Sequence, residues 1–350
     1  MKTAIASAEQ LATRWSAVMM GNYSAPSIQL VSGRGCMVTD SEGREYLDLL
    51  GGIAVSSLGH AHPAIAYAVA EQMTRLTHTS NLYAHEPGLQ LAEKLVELAQ
   101  MDARVFFCQD GATANEAALK IARRYGASAA PDGSKQVIVA AEHSFHGRTF
   151  GALAITGSPG KREPFAPFAH EVRFVPFGDS AALAAAVDDS VAAVVLEPIQ
   201  GEGGVIVPPT DYLSDARLIA DEHNALLIVD EVQSGIGRTG AWFASGAAGV
   251  VPDVITLAKG LGGGLPIGAV LATGAAAHAL KPGDHGSTFG GNPASCAAAL
   301  SVVTTIDEQG LLDNARTLGE HFAQRVAGIN HPLLAGSRGA GLWHALVLDG

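Results

Sequence analysis

The stretch Val254–Gly268, VITLAKGLGGGLPIG, combines an apolar run, one lysine and a cluster of glycines. The run 254–257 predicts a short buried strand that ends just before Lys259. The glycines at 260–264 leave the backbone free to bend, with nothing bulky beside the amine. This pattern favours a Schiff-base lysine, which must be partly desolvated because the ordinary pKa of about 10.4 keeps the amine protonated. A solvated lysine at a strand end is the alternative.

A second stretch, ALLIVDEVQSGIGRTG at Ala225–Gly240, predicts a buried parallel strand followed by acids. Asp230 and Glu231 come directly after the apolar run, at the strand end where open α/β sheets place ligands. A carboxylate in this position can pair with the ring nitrogen of pyridoxal 5'-phosphate (PLP). A helix cap or a metal ligand is the alternative for Asp230, although no histidine or cysteine nearby supports a metal.

Together the two segments resemble the class III, PLP-dependent aminotransferases. The resemblance rests on the strand with Asp230-Glu231-Val232-Gln233 and on the Lys259-Gly260 loop. It extends over nearly the whole chain and is closest to the members that use N2-acetyl-L-ornithine. It implies fold type I of the PLP-dependent transferases, an α/β fold. In that fold a mostly parallel, seven-stranded sheet is flanked by helices, and both chain ends form a small α+β domain.

The resemblance also implies roles for three residues. Lys259 holds PLP and, once released, moves a proton as general base and acid. Asp230 keeps the cofactor's ring nitrogen protonated, so that the ring can act as an electron sink. Gln233 hydrogen-bonds the 3-oxygen of the ring. The catalytic residues implied are therefore Lys259 and Asp230.

The implied reaction moves the terminal amino group of N2-acetyl-L-ornithine to 2-oxoglutarate. Its products are N-acetyl-L-glutamate 5-semialdehyde and L-glutamate, and it belongs to arginine biosynthesis. The chain length and the GGGLPIG and HGSTFGGNP loops favour this donor. Ornithine, 4-aminobutyrate and succinyl-diaminopimelate remain open as donors. An inactive relative that only binds a partner is the alternative of a different class.

A candidate anion site lies at Asp110-Gly111-Ala112-Thr113, between a predicted strand and a predicted helix. Thr113-x-x-Glu116 reads as a capping box, which predicts that the helix begins near Thr113. Gly111 and Ala112 would then present free backbone N–H groups to an anion, the cofactor phosphate. The family usually has serine at 110 and glutamate at 113. Asp110 would repel a phosphate unless its carboxylate turns away to cap backbone N–H groups.

Phe145 and Arg148 follow the predicted strand 136–140. A flat aromatic ring past a strand end can cover a pyridine ring, and a guanidinium is a two-pronged donor for a carboxylate. The resemblance assigns Phe145 to the ring face and Arg148 to the substrate carboxylate. A core phenylalanine and a surface arginine are the alternatives.

The resemblance also gives site roles to three residues in predicted loops. Glu202 resembles the family's gate residue, which pairs with an arginine near the C-terminus when no 2-oxo acid is bound; an ordinary loop acid is the alternative. Ser287 and Thr288 are adjacent hydroxyls between glycines and can hydrogen-bond a phosphate. In the family this loop crosses a dimer interface, so that Thr288 meets the neighbour's cofactor phosphate and Ser287 the substrate. A homodimer with shared active sites is therefore expected.

Strands that alternate with helices across 100–275 predict a mostly parallel sheet covered on both faces. A TIM barrel ranks second, because a β meander precedes this region and a helix–strand segment follows it. The expected domains are 1–60, the N-terminal part of the small domain; 61–295, the large PLP-binding domain; and 296–350, the C-terminal part of the small domain. A helix is predicted over 1–20 and a strand over 339–347. Family members continue past that strand, including the arginine that would meet Glu202, so the chain is expected to be incomplete.

Bulk composition excludes several functions. The 350 residues carry a net charge of −12, whereas nucleic-acid binding needs a basic surface. The three cysteines are scattered and form no CxxC, which predicts reduced thiols in the cytoplasm. The N-terminus lacks the apolar core of a signal peptide, and the alanine runs are too short to span a membrane. The histidine pairs at 60/62 and 143/146 lack further ligands, so no metal is expected.

Overall fold

The computed structural model describes residues 8–349. Helix α1 covers Ala8–Val18, so the first seven residues of the predicted N-terminal helix lie outside the described residues. The predicted β meander is present as an antiparallel sheet of three strands: β1 Leu30–Arg34, β2 Met37–Asp40 and β3 Glu45–Leu47. The Asp40 carboxylate accepts hydrogen bonds from Arg44 and Tyr46, and these bonds stabilise the turn between β2 and β3.

An open sheet of seven strands forms the centre of the molecule. In chain order its strands are β4 Ala103–Cys108, β5 Val137–Ala141, β6 Val172–Val175, β7 Val191–Leu196, β8 Leu226–Asp230, β9 Val254–Leu257 and β10 Gly268–Thr273. The spatial order is β4-β10-β9-β8-β7-β5-β6, in which β10 is antiparallel to both of its neighbours and the other pairings are parallel. The predicted mostly parallel sheet is confirmed, and its two free edges exclude a closed barrel.

Helices cover both faces of this sheet. The remaining helices are α2 Gly51–Ala54, α3 Pro63–Arg75, α4 Glu86–Ala99, α5 Gly111–Ala129, α6 Phe150–Ala154, α7 Pro159–Arg162, α8 Ser180–Ala186, α9 Tyr212–Glu222, α10 Ala244–Ala247, α11 Pro293–Glu308 and α12 Leu311–Ala327. Side chains alternate across a strand, so Ile228 of β8 packs in the cluster with α5 while Leu227 packs with α9. Because both faces are covered, β8 is apolar in consecutive positions, as its sequence indicated.

The C-terminal part differs from the prediction of one strand over 339–347. It forms an antiparallel hairpin of β11 Leu334–Ala340 and β12 Trp343–Leu348. The chain reverses at Gly341, where φ is +55° and a Cβ atom would lie 2.5 Å from the backbone of Thr239. Glycine is therefore required for both the turn and the close approach, and the strand prediction was wrong here.

Helix α11 crosses the expected domain limit between 295 and 296 and packs against α3 and α4. Its buried side chains share a core cluster with residues of the central sheet. The domain limits themselves stay a prediction. Among residues 8–349, no helix is long and apolar enough to cross a membrane.

Candidate active site

A cavity of ≈ 450 Å³ opens at the carboxyl ends of β4, β5, β8 and β9. Parallel strands present their carboxyl ends along one edge, and the loops that follow them converge there. Most of the residues predicted for the site line this cavity, namely Gly111, Ala112, Phe145, Arg148, Asp230, Gln233 and Lys259. Sequence positions from 111 to 259 are thus brought together by the sheet.

Lys259 shows two signs of a reactive amine. Its backbone φ is +42°, a left-handed conformation that is uncommon for residues other than glycine and that occurs preferentially at functional sites. Burial lowers the pKa of Lys259, although the charges of Asp230 and Glu197 act in the opposite direction. A lowered pKa increases the fraction of free amine at neutral pH.

Asp230 ends β8 with its side chain 4% exposed. Its Oδ2 accepts hydrogen bonds from His146 Nδ1 and from Asn115 Nδ2, each at 2.7 Å, and its Oδ1 accepts one from the backbone N–H of Val232 at 3.0 Å. The neighbouring acid, Glu231, is directed elsewhere and accepts hydrogen bonds from residues 234, 244 and 245. Of the two adjacent acids at the carboxyl end of β8, Asp230 lines the cavity and Glu231 does not.

Two further titratable groups are buried beside Asp230. Burial raises the pKa of Glu197 to about 7, and its carboxylate accepts a hydrogen bond from the Phe145 N–H at 3.1 Å. Burial by itself lowers the pKa of His146, but the hydrogen bond and charge of Asp230, with the charge of Glu197, outweigh it and raise that pKa. The cavity is therefore backed by a buried carboxyl group and a buried imidazole whose pKa values depend on burial and on the charges beside them.

The anion site is built differently from the prediction. Helix α5 begins at Gly111 rather than near Thr113, because Asp110 is the N-cap. The Asp110 carboxylate accepts a hydrogen bond from the Thr113 N–H at 2.8 Å, and Thr113 Oγ1 accepts one from the Asp110 N–H. The predicted capping box with Glu116 was wrong, since Glu116 instead accepts hydrogen bonds from the backbone of α6. Gly111 and Ala112 still occupy the first turn, where N–H groups have no intrahelical acceptor.

Three polar or aromatic side chains border the same cavity. The Phe145 ring has the Arg148 guanidinium carbon 5.5 Å from its centre, so the two side chains lie together at the cavity wall. Gln233 Nε2 is buried and has no hydrogen-bond partner among the described residues. An unpaired buried amide is costly, which favours a ligand that accepts a hydrogen bond from it.

Ser287, Thr288 and Glu202 do not line this cavity. Ser287 and Thr288 lie in a separate depression of ≈ 570 Å³, together with Gln109. Glu202 forms an ion pair with Lys161, the distance between its Oε2 and the Lys161 Nζ being 3.0 Å. In the single chain these three predicted residues therefore lie outside the lining of the cavity that holds Lys259, although Gln109 lines both depressions.

The cavity residues fit PLP. Free N–H groups at the start of a 19-residue helix suit a phosphate, a buried carboxylate suits a ring N–H, and Lys259 suits the aldehyde carbon. The unpaired Gln233 amide adds a donor for a ring oxygen. Among the described residues, no group of three histidine, cysteine or acidic side chains is placed to hold a metal ion.

The chain belongs to the class-III aminotransferase family, whose sequence pattern matches residues 19–348. Members of this family are PLP-dependent enzymes. The chain is 57% identical over 338 residues to a protein of Mycolicibacterium smegmatis called acetylornithine aminotransferase, covering 97% of this chain and 85% of that protein.

Two solved structures extend the comparison. The ornithine aminotransferase from Toxoplasma gondii has a TM-score of 0.93 at 36% identity, covers 99% of this chain and 82% of its own, and is described with partial occupancy of PLP at its active site. The N-acetylornithine aminotransferase from Stenotrophomonas maltophilia has a TM-score of 0.82 at 37% identity, covering 97% of this chain and 84% of its own. Similarity at this level over nearly the whole chain confirms the predicted family and fold.

The sequence interpretation missed two residues that touch Asp230. In the sequence, His146 is half of a histidine pair with metal-like spacing, and Asn115 lies between Thr113 and Glu116 in the predicted start of a helix. Both are buried and both donate to Asp230 Oδ2. A polar residue on an otherwise apolar helix face, as Asn115 is on α5, was the one signal in the sequence.

We predict that Lys259→Ala abolishes transamination and leaves the fold intact. Removing the amine eliminates proton transfer, which alone is worth about 10²–10⁴-fold in rate. Borohydride reduction of the native protein with PLP, followed by peptide mapping, should fix the cofactor to Lys259. Exposed Lys281→Ala is the control and should keep full activity. Labelling at Lys281 or Lys135 would contradict the assignment.

We also predict a pH-dependent stability that arises from Glu197. Its folded pKa of about 7 lies above its ordinary value of 4.5, so its contribution to stability is complete below 4.5 and is lost as pH rises through about 7. In the cofactor-free protein, Glu197→Gln should flatten the decline of the urea midpoint between about pH 5 and 8. The exposed neighbour Glu142→Gln should retain the wild-type decline. An unchanged slope in Glu197→Gln would disprove the shift.

Proposed function

We propose that this chain transfers the terminal amino group of N2-acetyl-L-ornithine to 2-oxoglutarate, as part of arginine biosynthesis. The observation that carries the proposal is the cavity in which Lys259, Asp230 and an anion-binding helix start converge. The relatives named for acetylornithine, at 57% identity in M. smegmatis and 53% in Streptomyces coelicolor, support the choice of donor.

Each step of the proposed catalysis is assigned to particular residues of the chain. When bound, PLP withdraws electrons from the carbon that carries the reacting amino group. Lys259 Nζ takes the proton from that carbon as a base and returns it as an acid. The Asp230 carboxylate would accept a hydrogen bond from the ring N–H, and its charge would favour that proton. The backbone N–H groups of Gly111 and Ala112 hold the phosphate.

Three side chains orient the reacting groups. Phe145 covers one face of the ring and keeps water from it. Gln233 Nε2 donates to the ring 3-oxygen, which satisfies an amide that has no partner among the described residues. Arg148 binds the substrate carboxylate through its two-pronged guanidinium. Arg148 and Lys259 are the arginine and lysine side chains among the residues that line the cavity.

The charges of the lining also favour an acetylated donor. Ornithine would bring a second ammonium group, at its α-carbon, which needs an acid. The two carboxylates that line the cavity have other tasks: Asp110 caps α5, and Asp230, which already has three protein donors, is assigned to the ring N–H of the cofactor. Acetylation removes the charge of the α-amine, so the donor needs no further acid.

We propose that Glu202 is the gate of the site. Its charge influences Lys259, yet its side chain lies outside the cavity and is paired with Lys161. In this role Glu202 moves away when a 2-oxo acid brings a second carboxylate, because like charges repel. The ion pair with Lys161 gives Glu202 a position to occupy during that step.

A homodimer with shared sites is the assembly we propose. Ser287 and Thr288 lie in a depression separate from that of Lys259, which suits a loop that serves a neighbouring subunit. Leu82, an apolar side chain that is 86% exposed, lies beside this loop, because the adjacent Asn81 donates to the carbonyls of Ser287 and Gly290. Thr288 would contact the neighbour's cofactor phosphate and Ser287 the substrate. The domain arrangement with limits at 60/61 and 295/296 and a cytoplasmic location complete the proposal.

A panel of amine donors tests the substrate. With 2-oxoglutarate as acceptor, we predict that acetylornithine exceeds ornithine in kcat/KM by at least about tenfold, because the cavity offers no free acid for a second ammonium. The panel includes 4-aminobutyrate and succinyl-diaminopimelate, and glutamate formation is measured. A preference for any of these three donors would replace the proposed substrate. A chain that binds PLP but converts none of them would be a binding protein.

Mixed dimers test the shared site. Lys259→Ala and Thr288→Asp should each be inactive, the second because a carboxylate faces the phosphate. In mixed dimers both changes fall in one site and the other site is intact, so random pairing should restore about a quarter of native activity.

The matched control pairs Lys259→Ala with Asp230→Asn, two changes on the same side of the proposed interface. Each mixed dimer then contains one change in each site, so no activity should return. Equal rescue in both mixtures, or none in the first, would show that each chain builds its own complete site.

A further inference from the structure

The loop that follows β8 carries an arginine to which the proposed mechanism gives no role. Ile236 and Gly237 have φ values of +54° and +84°, and left-handed backbone is uncommon for a β-branched residue such as Ile236. The two residues turn the chain, and Arg238 follows in the lining of a cavity of ≈ 290 Å³. The described residues that line this cavity differ from those that line the cavity of Lys259.

The Arg238 guanidinium is buried with few partners. Burial lowers the pKa of Arg238, and among residues 8–349 no acid is close enough to offset that effect. Its Nη2 donates one long hydrogen bond, of 3.5 Å, to Ser57 Oγ. Its Nε is buried and has no hydrogen-bond partner in the described part of the chain. A cation removed from water without a counter-charge is costly, so this arrangement favours an anion as its partner.

His62 adds a second unpaired nitrogen to the same cavity. It lies just before α3, and its Nδ1 is buried and has no hydrogen-bond partner among the residues described. Imidazole, hydroxyl and guanidinium groups can each donate a hydrogen bond to an anion, and His62, Ser57 and Arg238 supply one of each. No aspartate or glutamate of residues 8–349 lines the cavity, so no carboxylate in the lining opposes an anion there.

The size and the remaining lining of the cavity define the kind of anion. Exposed Gln309 and Asn314 border the cavity, so a ligand can enter from water. Ligand pockets combine an apolar lining with a few convergent polar groups, and their volumes begin at about 300 Å³. This cavity therefore suits a small ligand with both an anionic and an apolar part. The large apolar side chains in its lining are Leu58, Ile236, Ile306, Leu311 and Leu342.

We propose that this cavity is a second ligand site, which binds a small free carboxylate with a short apolar part through Arg238, His62 and Ser57. A planar guanidinium matches the two oxygens of a carboxylate. The site is separate from Arg148, to which the substrate carboxylate is assigned. A Cβ atom at Gly260, the residue after Lys259, would lie 2.8 Å from Ser57 Oγ, so the second site lies directly behind the Lys259 loop.

Butyrate is the probe, and its binding to protein saturated with PLP is measured by isothermal titration calorimetry. The Arg148→Met background removes the carboxylate site of the active cavity, so the heat reports the second site alone. We expect a Kd on the order of 1 mM, because so small a ligand makes few contacts. Adding Arg238→Met should weaken binding by at least about tenfold, because a charged donor is lost. The matched control adds Arg325→Met, at an exposed arginine of α12, and should bind butyrate like the background.

Two further probes test the class of ligand. Butanamide has the shape of butyrate without its charge, so we expect no measurable binding. Inorganic phosphate has the charge without the apolar part, so it should bind more weakly than butyrate. Tighter binding of phosphate than of butyrate would overturn the choice of a carboxylate, and equal binding of butanamide would overturn the role of the Arg238 charge.

Ala315→Leu decides the question if Arg238→Met does not fold. Ala315 of α12 lines the cavity and is 5% exposed, so a larger side chain there occupies the ligand space while Arg238 stays in place. In the Arg148→Met background this change should abolish butyrate binding. A purely structural Arg238 predicts that the background binds no butyrate, or that Arg238→Met and Ala315→Leu bind it unchanged, and either result would overturn the inference.

Discussion

The buried carboxylate of Asp230 is the constraint on which the rest of the site depends. A charge at 4% exposure is stable only if donors surround it, and those donors come from distant parts of the chain. Asn115 comes from α5, His146 from the loop after β5, and the Val232 N–H from the turn after β8. Their hydrogen bonds fix α5 and two strand ends relative to one another. The start of α5, the proposed phosphate site, is thereby held at a defined distance from Asp230.

A close approach between two backbone segments fixes the position of the start of α5 against the sheet. Strand β10 pairs Gly268 with Cys108 of β4, and a Cβ atom at Gly268 would lie 2.3 Å from the Asp110 carbonyl oxygen. Glycine at this position lets the N-cap of α5 lie directly against the sheet. The capping carboxylate of Asp110 is meanwhile engaged by the Thr113 N–H. A negative side chain next to an anion site is thus tolerated because its charge is held by the helix it caps.

Asp230 and Glu231 are adjacent in the sequence, but their side chains have different partners in the structure. Asp230 lines the cavity, while Glu231 binds the backbone and hydroxyl groups that follow β8 and stabilises that loop. Glu197, at the end of the adjacent strand, is buried deeply enough that its pKa rises to about 7. The same residue type therefore serves as a loop anchor or as a titratable neighbour of the site, according to its partners and burial.

The sequence by itself determined the features that depend on local order. The sequence has an apolar run followed by Asp230, a second run followed by Lys259 and a glycine cluster, and strands that alternate with helices. These features predicted the sheet, its mostly parallel order and the family, and they pointed to two residues that line the cavity. The apolar pattern of buried strands and the position of ligand sites at strand ends follow from local sequence order, so these features could be predicted from the sequence.

Tertiary structure alone decided the rest. Asn115 and His146 meet Asp230 across gaps of 115 and 84 positions, and no local pattern marks such a contact. Asp110 rather than Thr113 caps α5, and Glu116, which a capping box at Thr113 would need, is engaged by the backbone of α6 some 35 positions away, a contact that local spacing does not encode. That Thr288 and Lys259 line different depressions likewise depends on where the folded chain places a loop, a long-range outcome of packing that spacing in the sequence does not encode.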